Sequence, residues 1–288
     1  MVTATKAKTA RPDVNQMVTD QILEMLDAGV VPWRKTWNSN GPVNAVTGKA
    51  YRGINRWLLG MAPYSDTRWL TFKGAQAIGA SVKKGEKSTL VVFYQFITKG
   101  KDTPEEKNFG LLKYYRVFNV EQCENIDEAK LKTVTTKEGQ ENASQELAEA
   151  IINGYPNAPT LSHGGDRAFY TPNQDAIKLP NMVDFESSDA YYQASFHEHT
   201  HSTGHENRLN RDIRNAFGCG DYSKEELVAE FGSSFLCAHA GITTTIENSA
   251  AYIANWKKVL EMDKTMVIQC ANKGQKAAEH IMGIVPEY

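Results

Sequence analysis

Apolar residues recur along this chain with two periods, near 3.6 and near 2, and the switches between them mark out its elements. Val14, Met17, Val18, Ile22, Leu23 and Leu26 repeat at helical spacing, which predicts a helix over Val14 to Ala28, ended by Gly29. The next stretch, GVVPWRKTWNSNGPVNAVTGKAYRG, is punctuated by Pro32, Gly41, Pro42 and Gly48 and predicts loop. Thr71 to Ile78 predicts a short helix, and Leu90 to Ile97 and Leu111 to Val120 predict two strands. From Ile126 to Asn142 no apolar period survives, so this tract is expected to be a linker or surface loop. Beyond it the pattern predicts a helix over Ser144 to Asn153 and a β-pair from Arg167 to Pro172 and Asp175 to Pro180. Three helices follow, over Ser188 to Thr203, Lys224 to Ala240 and Ala250 to Ala271. The expected fold class is α+β in two domains. A mixed α/β unit spans 1–125, a linker 126–142, and a mainly helical unit with a small sheet 143–288.

Composition changes this picture little. The 288 residues are 41% hydrophobic and 23% charged, values of a globular chain. No apolar run approaches the ~20 residues of a membrane helix, and the start lacks the apolar segment of a signal peptide. Four cysteines with no C-x-x-C pair argue against a disulfide framework, so a cytoplasmic location is expected. Charge is more informative, because the net of -2 hides an asymmetry. Residues 1–125 hold 18 Lys+Arg against 11 Asp+Glu, and the remainder is correspondingly acidic. One half is therefore suited to meet a polyanion.

The most specific motif is His197-Glu198-His199-Thr200-His201, an H-E-x-x-H on a predicted helix. Positions i and i+4 lie one turn apart on one face, so His197 and His201 can share one metal ion. Glu198, 100° around, can reach a water in the open coordination position, whereas His199 faces away. Chance would supply about 0.01 such motifs in a chain of this composition.

A catalytic site of this kind needs a third protein ligand. In H-E-x-x-H-x-x-G-x-x-H, Gly204 fits the glycine but Asn207 occupies the place of the last His, and His205 is out of register. The alternative is a Glu from the next helix, whose start reads SKEELVAEF. Glu226 is the expected ligand, with Glu230 one turn on accepting a ligand imidazole's N–H. Glu230 as the ligand is the alternative. Ser223 as N-cap would compete for Glu226 through a capping box, and Glu225 reads as a solvated charge at a helix start. The implied chemistry is metal-assisted hydrolysis, with Glu198 as general base. Tyr170, Tyr192, His205 and Tyr222 are candidates to stabilise an oxyanion, and the segment IKLP is a candidate edge strand for a peptide substrate.

The basic half interleaves cations and aromatics in PWRKTW and YRGINRW and adds the basic turn KKGEK. That combination suits a single strand of nucleic acid, with phosphates on cations and bases on ring faces. Equally, tryptophans are usually core and Lys-rich turns are usually solvated.

At these residues the chain resembles the ArdC-type antirestriction family, whose N-terminal domain is shared with some plasmid primases. The first half matches through GVVPWRKTW, NAVTGKAYRGIN, WLTFKGAQAIGASVKKGEK and YYRVFNVEQ, and the second through AFYTPNQDAIKLP, HEHTHSTGHENRLNR and YSKEELVAEF. The resemblance implies a single-stranded DNA-binding domain followed by a zincin-like, gluzincin-type metallopeptidase domain that together protect incoming mobile DNA from restriction. It implies His197, His201 and Glu226 as metal ligands and Glu198 as catalytic acid/base. Trp33, Arg34, Lys35, Tyr51, Arg52, Lys83 and Lys84 sit in its matched DNA-binding segments.

The expected cofactor is one divalent ion, Zn2+ first, with Mn2+ also suited to a His2Glu set. The expected partners are single-stranded DNA and a host restriction protein as peptidase substrate, with no membrane. Two other functions stay open: a DNA-binding protein whose metal is structural, and a general peptidase with no DNA role.

Overall fold

A computed structural model describes residues 12–34, 41–99, 107–133, 141–213, 220–242 and 250–285. In chain order the elements are α1 (Val14–Asp27), β1 (Val43–Asn44), α2 (Ile54–Gly60), β2 (Arg68–Thr71), α3 (Phe72–Ala77), β3 (Ser81–Val82), β4 (Thr89–Lys99), β5 (Lys107–Asn119) and β6 (Cys123–Glu124). They continue with α4 (Glu141–Asn153), β7 (Thr160–His163), β8 (Phe169–Thr171), β9 (Ala176–Leu179), α5 (Ser188–Ser202), α6 (Gly220–Ala240), α7 (Ala250–Met262) and α8 (Met266–Ile281). The architecture is α+β, as the pattern predicts.

The N-terminal sheet runs β1-β2-β5-β4, and most of it is the long antiparallel β4–β5 ribbon. Strand β4 is an edge. The Asn55 side chain of α2 closes it at Val92, donating to the Val92 carbonyl (2.7 Å) and accepting from its N–H (2.8 Å). One amide thus stands in for a strand neighbour.

The two halves share a core. Val18, Ile22 and Leu26 of α1, Trp33, and Ile54, Trp57 and Leu58 of α2 belong to one buried cluster with Phe231 and Phe235 of α6 and Trp256 of α7. Trp57 lies 4.6 Å from Phe231 and 4.3 Å from Phe235 between ring centroids, and Trp33 lies 5.3 Å from Phe231. The loop pattern before Gly53 does not foretell this, because a tryptophan between prolines and glycines carries no periodicity.

Several boundaries differ from expectation. Residues 54–60 form α2, which the pattern left unassigned. The long helix expected over Ala250 to Ala271 is two helices. Asp263 breaks it, accepting from the backbone N–H and hydroxyl of Thr265. The stretch 126–142 begins as packed chain: Leu131 is buried with Leu70 and Ala75, and the Lys132 N–H donates to the Ala45 carbonyl at 2.8 Å. Strand β7 adds to β9 in parallel while β8 adds antiparallel, so the IKLP segment is the central strand of a three-stranded sheet and not a free edge. Its backbone groups are already paired on both sides, which removes it as a docking strand for a substrate. Among the described residues no helix is long and apolar enough to cross a membrane.

Candidate metal centre

The centre is made where α5 crosses α6. Ser187 caps α5, accepting from the Ala190 N–H at 3.1 Å, and the helix runs through the H-E-x-x-H motif as predicted. Close approach of the two helices depends on Gly232. A Cβ there would overlap the Thr200 side chain, which is wholly buried. Only glycine allows this contact without displacement.

The crossing brings His197, His201 and Glu226 together, with one donor atom from each within 4.8 Å of the others. The two Nε2 atoms are 3.1 Å apart. Glu226 places Oε2 3.5 Å from His197 Nε2 and Oε1 3.4 Å from His201 Nε2. Donors 2.0–2.1 Å from a tetrahedral ion would be spaced by about 3.3 Å, so the set fits one small divalent cation. Two imidazoles and one carboxylate also leave a coordination position open.

Burial opposes charge on both imidazoles, but at His201 hydrogen bonds with Glu225 and Glu226 prevail and raise it to about 10. His197 is raised in the same way by Glu226. Burial would raise Glu226, and the same two contacts overcome it and hold this carboxylate well below its usual range. His201 and Glu226 are thus favoured in their charged forms, and a cation entering the cluster displaces a proton from the imidazoles.

The carboxylate behind His201 is Glu225. Glu225 Oε1 lies 3.4 Å from His201 Nδ1. Arg211 grips the same carboxylate through two contacts, Nη2 to Oε1 at 2.6 Å and Nε to Oε2 at 3.1 Å. The guanidinium is itself fixed to the Thr200 carbonyl (2.9 Å) and the Thr203 hydroxyl (2.6 Å). Both partners are nearly buried, at 8% and 11% exposure. The expectation of a solvated Glu225 is therefore corrected. Helix α6 begins at Gly220, so Ser223 lies inside it and no capping box draws Glu226 away. Glu230, one turn beyond Glu226, raises His197 electrostatically.

Glu198 adjoins both ligand imidazoles electrostatically and is 9% exposed. His199 points away as expected: its Nδ1 is 2.7 Å from the Ser195 carbonyl oxygen, and burial pushes it down to about 4. The Tyr170 hydroxyl donates to Asp175 (2.8 Å) and the Tyr192 hydroxyl to Glu149 (2.7 Å), so both are engaged elsewhere. His205 Nδ1 accepts from the Asn207 N–H at 3.3 Å. The Tyr222 side chain lies outside the described residues.

The residues expected to touch DNA are scattered. Trp33 is 1% exposed and donates through Nε1 to the Tyr252 hydroxyl at 3.2 Å, so neither ring face is open to a base. Arg52 is ion-paired with Glu279 of α8, and neighbouring Gly53 abuts Asn272. The YRGINRW segment is thus largely a joint between the two halves. Tyr51 is half-buried. Lys83 donates to the Glu121 carbonyl at 2.8 Å, and Lys84 is exposed. The Arg34 side chain and Lys35 lie outside the described residues.

With this geometry in view, the relatives can be compared. Residues 12–118 match the N-terminal domain of the antirestriction factor ArdC, and residues 146–273 match a zincin-like metallopeptidase domain. The chain is similar to two Escherichia coli proteins named DNA primase TraC, at 36% and 34% identity over 93% of its length. It spans only 20% and 27% of those longer proteins. The y4eC protein of Sinorhizobium fredii is 30% identical, with 93% of this chain covering 91% of that one. The crystal structure of the antirestriction protein ArdC from plasmid R388 in metal-free form superposes with a TM-score of 0.74 at 33% identity, over 95% of this chain and all of that one. Its Mn(II)-bound form gives 0.76 over 94% and 97%. The shared metal-ready domain indicates a divalent cation here too, and the full-length match identifies the chain as a member of the ArdC-type antirestriction family.

Proposed function

We propose that this protein binds single-stranded DNA and carries a metal-dependent peptidase site, and that both serve to protect incoming mobile DNA from restriction. The observation that carries the peptidase half is the convergence of His197, His201 and Glu226 with Glu198 beside them on α5. A divalent ion held by those three residues would supply Lewis acidity to a scissile carbonyl and acidify a water in the open position. The carboxylate of Glu198 takes a proton from the attacking water and returns it to the leaving amine. Glu225, clamped by Arg211, keeps His201 in the rotamer and tautomer that offer Nε2 to the ion. Zn2+ is the cation such a donor set most often holds, and the Mn(II) form of the R388 protein supports manganese as well. The substrate is taken to be a host restriction protein.

The DNA half rests on the match to the ArdC N-terminal domain and on the basic balance of residues 1–125. The presence of the same segment in proteins named primase supports a nucleic-acid context. Lys84, exposed on its turn, is a proposed phosphate contact, with Lys83 beside it.

Glu198→Ala tests the peptidase reading. Metal content and DNA binding should remain while hydrolysis and protection of transferred DNA both fall. Protection that persists undiminished would show that DNA binding alone suffices and that the metal site plays a structural part.

A further inference from the structure

The β4–β5 ribbon carries an exposed aromatic face that none of the residues expected to touch DNA occupies. Its register pairs Leu90 with Arg116, Val92 with Tyr114 and Tyr94 with Leu112. Directly opposed residues point to the same side, so these six share one face. At the inner end Leu90 and Val92 are buried in the shared core. Across from Val92, Tyr114 is 36% exposed, and one pair further out Tyr94 is 42% exposed, the two tyrosines on diagonal positions within reach of one another. The register of β2 with β5 pairs Leu70 with Phe118, which continues this face. Phe118 meets Phe72 of α3, the rings 6.4 Å apart, and Phe72 is 51% exposed. The exposed guanidinium of Arg116 stands between Phe118 and Tyr114 along β5.

The order along the face is therefore aromatic, cation, aromatic, aromatic. Alternate residues of a strand are about 6.7 Å apart, a spacing comparable to that of successive nucleotides in an extended single strand. The charge beside it is cationic. Arg116 lies on this face and Lys73 on the adjoining α3, while Lys113, opposite Phe93, lies on the other side, and the sequences of α3, β4 and β5 contain no carboxylate. Large aromatics exposed together mark a binding face, and cations without a carboxylate on these three elements favour a polyanion over an apolar protein partner.

We infer that this face is the single-stranded DNA platform, with bases stacked on Phe72, Tyr114 and Tyr94 and phosphates drawn to Arg116 and Lys73. The inference rests on the DNA-binding function proposed above and deepens it. The edge of β4 takes no part at Val92, because Asn55 already occupies it.

The test is fluorescence anisotropy of a labelled oligo-dT of about 20 nucleotides with the full chain at low salt. Tyr94→Ala/Tyr114→Ala should weaken binding at least about five-fold per ring removed. Tyr94→Phe/Tyr114→Phe should bind like the unsubstituted protein, because stacking needs the ring and not the hydroxyl. Phe93→Ala is the control. Phe93 is 40% exposed on the same strand but faces the other side, and its loss should change affinity less than about two-fold. Unchanged thermal melting and metal content would show that each variant is folded. If the unsubstituted protein binds and the double alanine variant binds equally well, or if Phe93→Ala is just as damaging, the platform is elsewhere while the DNA-binding function stands. Absence of binding by the unsubstituted protein at low salt would remove that function and the platform with it.

Discussion

Glu225 is shared between Arg211 and His201: the same Oε1 lies 2.6 Å from Arg211 Nη2 and 3.4 Å from His201 Nδ1. The position of one imidazole is thereby tied to the loop that follows α5. Arg211 holds the carboxylate, and the carboxylate holds the ring.

Glu225→Gln keeps the shape and removes the charge. Metal affinity measured by titration calorimetry should fall about 10- to 100-fold, the usual effect of losing an outer carboxylate on a ligand histidine. Affinity within two-fold of the unsubstituted protein would mean that Glu225 serves only to neutralise Arg211.

Gly232→Ala puts a methyl group into Thr200. Overpacking of this kind costs about 1–3 kcal/mol, and here it also pushes α6 away from α5. Both the melting temperature and the metal affinity should drop. Gly232→Ala/Thr200→Ala, which vacates the space, should restore most of each, and a failure to do so would locate the defect outside this contact.

Trp57 joins the halves, with Phe231 and Phe235 against its ring. Truncation to alanine should cost about 3–5 kcal/mol. Because α1 and α2 share a core with α6, calorimetry of the unsubstituted chain should give one unfolding transition. Two well-separated transitions would show that this junction does not couple the halves.

Adding Zn2+ or Mn2+ to metal-stripped protein should raise the melting temperature. At a free ion concentration 100 times Kd the stabilisation is about 2.7 kcal/mol. His201→Ala, which removes one of the three donors, should abolish the increase. An equal increase in that variant would place the cation elsewhere.

If the proposed DNA binding holds, affinity should weaken steeply with salt, in proportion to the phosphates neutralised. A flat dependence of affinity on salt would argue that the basic half meets something other than a polyanion.

How much of this was legible follows the distance over which each signal acts. The H-E-x-x-H pair needs only the helical repeat, and Ser187 starts that helix as a local cap, so His197 and His201 are readable from spacing alone. Glu226 needed one further assumption, that the next helix crosses the first, and the crossing supplied by Gly232 brings it to the pair. Glu225 reads as solvated from sequence because a carboxylate near a helix start has an ordinary explanation. Its partner Arg211 is fourteen residues away, in a loop without period. Trp33 and Trp57 look like stacking residues when counted beside arginines, and composition does not say which side of a ring is covered. The exposure of Tyr94 and Tyr114 is illegible for the opposite reason: alternation marks two faces of a strand but not which face a helix will cover.

By itself, then, the sequence determined what repeats locally: the strands of the ribbon, the helix bearing the two imidazoles, the α+β class and the charge imbalance. Tertiary structure alone decided which carboxylate stands behind His201, which aromatics are sealed between the halves and which remain open to solvent. The reason is that those choices depend on contacts between residues far apart in the chain, such as Trp57 with Phe235 and Thr200 with Gly232, and no periodicity along the chain encodes them.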